Sequence, residues 1–128
     1  MTKRLLVVDD AMIIREMIKD AARNAGWEIA GEAGNGQEAI AKYEELGADA
    51  VTLDLIMPEY DGLHALAGIM KVDPSARVLV VSAIDQTDIL KEALQRGAAD
   101  FVVKPFDKAR LVSALEKLIA HDIPTLQS

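Results

Sequence analysis

Apolar and polar positions along this chain follow two periods, and the periods alternate from one end to the other. Leu5-Leu6-Val7-Val8 is a short, unbroken apolar run, the pattern of a strand covered on both faces. Over residues 14–25 the spacing turns helical: Ile14, Met17, Ile18, Ala21 and Ala25 share a face, and Gly26 supplies a stop. Residues 27–33 alternate, which predicts a second strand nearer an edge. Asn35 and Glu38 have the spacing of a capping box, with Glu38 reaching back, for a helix through Ala39, Ile40 and Tyr43 to Gly47. Residues 50–53 form a third strand, and Asp61 can cap a helix carrying Leu63, Leu66, Ile69 and Met70. Residues 77–81 read as strand, 87–96 as a helix closed by Gly97, and 101–103 as strand. Asp107 can cap a last helix carrying Leu111, Leu115, Leu118 and Ile119.

Five strands alternating with five helices call for right-handed crossovers and a parallel sheet. The 128 residues fit one domain and fall far short of a (β/α)8 barrel. The expected fold is therefore α/β: a doubly wound, five-stranded parallel sheet with helices on both faces and the flavodoxin-like strand order 2-1-3-4-5. Gly47-Ala48-Asp49 and Gly97-Ala98-Ala99-Asp100 resemble each other, each joining a helix end to a buried strand. Their spacing does not recur, so they share turn chemistry and are not a solenoid repeat.

In such sheets ligands sit beyond the carboxyl ends of the strands, where the strand order reverses. Strand 1 ends in Asp9-Asp10, strand 3 in Asp54, strand 4 in Ser82-Ala83 and strand 5 in Lys104-Pro105. Each residue alone is as readily a helix cap, a solvated turn or a surface cation. Together, at four strand ends, they form a site. Three carboxylates in one pocket repel and need a partner. Hard oxygen donors on a partly solvated rim suit Mg²⁺ (or Mn²⁺). A metal ion, the Lys104 cation and the Ser82 hydroxyl are what phosphoryl oxygens require, and attack by Asp54 on phosphorus gives an aspartyl phosphate.

These segments resemble the receiver domain of two-component response regulators. The matching pieces are Leu6-Val7-Val8-Asp9-Asp10, Asp54-Leu55-Ile56-Met57-Pro58 with Asp61-Gly62, Val81-Ser82-Ala83, and Lys104-Pro105-Phe106. The resemblance implies that Asp54 accepts phosphate from a histidine kinase or a histidine phosphotransfer protein. It implies that Asp10, Asp54 and the Ile56 backbone carbonyl bind the metal, with Asp9 acting mainly through water. Lys104 and Ser82 would hold the phosphoryl oxygens beside Ala83. Ser82 and Phe101 would move together on switching, and the Lys104–Pro105 peptide is expected to be cis. Phe101 stands where many relatives carry tyrosine. Ile56 and Ile84 occupy the two positions that tune dephosphorylation, where they exclude water and offer no hydrogen bond. The implied boundaries are a receiver over residues 1–121 and a tail over 122–128.

Composition narrows the reading. The net charge of −7 disfavours nucleic acid and anionic lipid as partners, and no apolar run nears the ~20 residues that span a bilayer. Without cysteine there is no disulfide, thiolate nucleophile or Cys-zinc site, which agrees with a cytoplasmic location. Met12-Ile13-Ile14 is more apolar than one buried face requires; some of it can be core, and the rest can dock a kinase or phosphotransfer helix with Pro105 and Phe106. The expected output face is helix 4, strand 5 and helix 5, presented to a downstream protein. His64 and His121 show no ligand spacing and are expected to face solvent.

Two other activities share this fold or this nucleophile. A haloacid dehalogenase-type phosphatase places a second acid two residues after its aspartate, where this chain has Ile56. A flavin module needs a loop of phosphate-binding donors after strand 1, where this chain has Asp9-Asp10-Ala11-Met12. No effector domain follows the last helix in this sequence, so a stand-alone receiver is expected, and the resemblance of residues 32–43 and of the Ser82-Ala83-Ile84 and Lys104-Pro105-Phe106 segments to chemotaxis-type receivers implies that pathway. A receiver fragment of a larger regulator and a phosphorelay intermediate are the alternatives.

Overall fold

A computed structural model describes residues 3–58, 61–83 and 85–120. The strands are β1 (Arg4–Val8), β2 (Glu28–Ala33), β3 (Ala50–Leu53), β4 (Val78–Ala83) and β5 (Asp100–Lys104). The helices are α1 (Met12–Asn24), α2 (Gly36–Leu46), α3 (Gly62–Val72), α4 (Thr87–Gln95) and α5 (Lys108–Ala120). All strand pairs are parallel, in the order β2-β1-β3-β4-β5.

The unbroken run in β1 has a direct cause. Successive side chains point to opposite faces of a sheet. Leu5 and Val7 join Ile18, Ala21 and Ala22 of α1 and Leu111 and Leu115 of α5 on one face. Leu6 and Val8 join Tyr43 of α2 and Leu66 and Ile69 of α3 on the other. Both faces are covered, so every position must be apolar, and each buried Leu or Val contributes about 1.5–3 kcal/mol. The edge strand β2 keeps most of its side chains half-buried, as its alternation implied.

The register positions the site. Val8 pairs with Leu53, so Asp9 and Asp54, the next residues, leave the sheet side by side. Two further backbone bonds carry the ladder one step past the strands: Asp54 N–H donates to Val8 O at 3.0 Å, and Asp9 N–H to Ala33 O at 3.0 Å. On the other side Ser82 pairs with Val103 and Ala83 with Lys104.

Capping follows the sequence in part. Asn35 accepts from Glu38 N–H, Asp61 from His64 N–H and Asp107 from Arg110 N–H. The Glu38 carboxylate does not close the box; it pairs with Lys42 one turn on, at 3.6 Å. Gly47 ends α2 with φ of 63°, a conformation that costs a side-chain-bearing residue energy. Helix α1 begins at Met12, so Met12-Ile13-Ile14 is its first turn as expected, and Met17 lies outside its buried stripe. Ile18, Lys19, Ala21 and Ala22 are the buried positions instead. Met17 sits at the margin of the apolar arc, where hydrophobicity alone does not tell core from surface. Among the described residues no helix is long and apolar enough to cross a membrane.

Candidate functional site

The side chains of Asp9, Asp10 and Asp54 converge at the carboxyl ends of β1 and β3, with one oxygen from each within 4.8 Å of the others. Asp9 and Asp54 are buried and Asp10 is exposed, so the cluster opens to solvent on one side. Asp9 is fixed at both ends. Its Oδ1 accepts from Ala11 N–H at 2.9 Å, a local turn that leads into α1, and its Oδ2 accepts from Lys104 Nζ at 2.8 Å. Lys104 Nζ also lies 3.5 Å from Asp54 Oδ2, so one cation at the end of β5 serves both buried carboxylates.

Asp54 is under-compensated. Burial pushes its carboxyl up to about 6, the neighbouring Asp9 charge adds to this, and Asp10 adds less. Lys104 and the Ile56 N–H, 3.4 Å from Oδ1, pull the other way without cancelling the rise. A carboxylate destabilised in this way gains most from a divalent cation, and three hard oxygen donors, one of them on a wet rim, fit Mg²⁺ or Mn²⁺.

The other sequence-derived residues lie as follows. Ser82 is buried at the end of β4 and Ala83 half-buried beside it. The Lys104–Pro105 peptide is cis. Phe101 is half-buried against the α2–α3–α4 side of the sheet. The Ile56 side chain is 45% exposed, next to the carboxylates. Ile84, His121 and the 122–128 tail lie outside the described residues. His64 is exposed on α3, away from any metal-ligand grouping among the described residues.

Gly62 bears directly on the site. Its N–H donates to Leu55 O at 2.9 Å, and an added Cβ would fall within the van der Waals shells of Asp54 O and Leu55 Cα. The start of α3 can press against the β3–α3 turn only because this position has no side chain.

Two groups of residues around the centre escaped the sequence reading. Arg15 Nη1 donates to Asp9 O at 2.6 Å while its Nε donates to Glu32 Oε1 at 2.9 Å. Lys19 donates to the other Glu32 oxygen at 2.7 Å and pairs with Glu16 at 2.5 Å. The Lys19 hydrogen bond, then that of Arg15, hold the Glu32 carboxyl below its usual range despite partial burial. This network ties α1 and β2 to the Asp9 backbone. The second is Gln86, whose Oε1 accepts from Ser82 Oγ at 2.8 Å and from Ala83 N–H at 3.2 Å. Only the adjacency of oppositely charged residues on α1 and β2 hinted at the first, and nothing in the sequence pattern marked the second.

Met12 and Ile13 are 67% and 72% exposed on the first turn of α1, beside the acidic cluster. Pro105 is exposed and Phe106 half-buried on the neighbouring loop. The apolar excess of α1 is therefore surface at its first two residues, and only Ile14 turns partly inward.

Residues 5–116 match the response regulator receiver domain. The chain is 52% identical to the chemotaxis protein CheY of Thermotoga maritima over 118 residues, covering 92% of this chain and 98% of that protein. It is 52% identical to the chemotaxis protein CheY of Listeria monocytogenes over 114 residues, covering 89% and 96%. Among solved structures it resembles a chain of the CheX–CheY–BeF3–Mg²⁺ complex from Borrelia burgdorferi, with a TM-score of 0.87, 34% identity and coverage of 91% and 89%. Fold, register and sequence agree, and the chain belongs to the response regulator receiver family.

Proposed function

We propose that this receiver takes a phosphoryl group on Asp54 from a phosphohistidine of a kinase or phosphotransfer protein, and that it works in a chemotaxis-type pathway in the cytoplasm. The observation that carries the reading is the convergence of Asp9, Asp10 and Asp54 on one pocket bridged by the Lys104 amine. An Asp54 carboxylate oxygen attacks phosphorus, forming the O–P bond as the N–P bond breaks. The bonding pair stays on the imidazole nitrogen, which takes up a proton. Asp10, Asp54 and the Ile56 carbonyl would hold Mg²⁺, with Asp9 acting through water, and a bound ion would supply positive charge against the carboxylates and the transferring group. Lys104, Ser82 Oγ and Ala83 N–H would be the donors for the phosphoryl oxygens, each exchanging its present acceptor for one of them.

The chemotaxis assignment is supported by identity to CheY proteins over nearly their whole length. A downstream protein would read the face made by α4, β5 and α5, and the exposed Met12 and Ile13 with Pro105 suit a helix of the phosphodonor. Treatment with acetyl phosphate and Mg²⁺ should add the mass of one HPO₃, labile to base. The Asp54→Asn variant should add none. An unshifted parent mass with several competent phosphodonors would defeat the reading.

Ile56 and Ile84 bear on the lifetime of the product. An apolar side chain beside the acceptor cannot orient a hydrolytic water, so the aspartyl phosphate should be long-lived. The Ile56→Asn, Ile84→Glu double variant should lose its label about tenfold faster or more, a modest part of what well-placed general-base catalysis supplies. Equal decay rates would remove the idea.

A further inference from the structure

Gln86 lies at the N-terminal boundary of α4, and its side chain does not cap that helix. It turns back to the end of β4, where a single atom accepts two hydrogen bonds, from Ser82 Oγ at 2.8 Å and Ala83 N–H at 3.2 Å. The identity of that atom is fixed by chemistry. A backbone N–H can only donate, so the group facing Ala83 must be the amide oxygen. Both of its lone pairs are then engaged, one by a hydroxyl buried to 1% exposure. Ser82 and Ala83 are the same two donors that a phosphoryl oxygen on Asp54 would require.

We infer that Gln86 is a latch on the phosphoryl site: its side-chain carbonyl stands in for a phosphoryl oxygen and occupies the Ser82 and Ala83 donors until phosphate arrives. It is a positioning residue, acting through Ser82 and Ala83. Phosphorylation exchanges one acceptor for another at these donors, so neither is left buried and unpaired in either state. The released Gln86 side chain has somewhere to go. A cleft of ≈ 390 Å³, lined by Ile56, Asp85, Gln86, Thr87, Asp88 and Ile89, opens beside it. Because Gln86 also sets the first residue before α4, its release is felt at the start of that helix. The latch thus opposes loading of the site and links loading to α4. This inference rests on Asp54 being the phosphoryl acceptor.

The test is titration with beryllofluoride in saturating Mg²⁺, and separately with Mg²⁺ alone, on the parent and on Gln86→Ala and Gln86→Met. Gln86→Met keeps the length of the side chain and removes the strong acceptor. Both variants should bind beryllofluoride about tenfold more tightly, the scale of one or two net hydrogen bonds, with Mg²⁺ affinity unchanged. The gain should shrink in a Ser82→Ala background, where one donor is already missing. A structural role would instead weaken both titrations together. Beryllofluoride affinity at or below the parent value in both variants overturns the latch. A parent that takes no beryllofluoride at all overturns the assignment of Asp54 beneath it.

Discussion

The Asp54→Asn variant should be more stable than the parent in the absence of metal, by about 1–2 kcal/mol above neutral pH after solvent screening is allowed for. Burial is the largest reason that the Asp54 carboxyl rises from 3.8 to about 6, and the Asp9 charge is the second. The folded protein therefore holds this proton more tightly than the unfolded chain does. The favourable contribution of the protonated acid is complete below the unfolded value. It is lost as pH climbs from about 4 to about 6, after which the parent carries the full cost of a buried, crowded carboxylate. Asparagine has the same shape and no charge to bury. The stability difference should thus be small at pH values below 4, grow through the window and stay level above it. Urea denaturation at a series of pH values with a chelator present measures this. A difference independent of pH would contradict it. Saturating Mg²⁺ should narrow or reverse the order, because only the parent keeps all three carboxylates for the ion.

The Gly62→Ala variant should lose about 3 kcal/mol, the upper part of the range for overpacking. The atoms an added Cβ would meet, Asp54 O and Leu55 Cα, are backbone and cannot swing aside as a side-chain tip can. Either α3 backs away, giving up the Gly62 N–H bond to Leu55 O, or the turn that carries Asp54 shifts. Gly34→Ala is the control, since its Cβ would meet only Arg15 Nη1, at 3.9 Å. Denaturation midpoints should fall strongly for the first variant and little for the second. Equal midpoints would show that the α3 start has slack that the packing does not reveal.

These two positions illustrate what the sequence can and cannot carry. The place of Asp54 was readable, because residues 50–53 read as a strand and the next residue must leave the sheet at its carboxyl end. The adjacency of Asp9 and Asp54 followed from strand order, since a 2-1-3-4-5 sheet makes β1 and β3 neighbours. The role of Gly62 as a spacer was not readable. Its sequence position marks a helix start, and only the packed α3 shows which backbone atoms it would strike.

Tertiary pairing was the least legible layer. Lys19 is 8% exposed on α1, a burial that its charge argues against until Glu32 on β2 and Glu16 are seen around it. Whether those groups meet depends on how α1 lies across β2, which hydrophobic periodicity leaves undetermined. The same holds for Gln86. An uncharged residue four positions after Ser82 gives no signal until the chain, closed by the Gln86 N–H bond to Ala83 O, brings its amide back to the strand end. Conversely, Met12 and Ile13 carried a strong apolar signal, yet they are surface. Apolar excess on a helix reports a buried area without saying whether the cover is the protein's own core or another molecule.

The most direct test of the account is chemical mapping of the phosphorylated residue. Borohydride cleaves an acyl phosphate by reducing its carbonyl carbon, so an aspartate that carried phosphate is recovered as homoserine. After treatment with acetyl phosphate and Mg²⁺, reduction and proteolysis, the account predicts homoserine at position 54 and intact aspartate at 9 and 10. Homoserine at position 9 or 10, or unmodified Asp54 in protein shown to be phosphorylated, would contradict it.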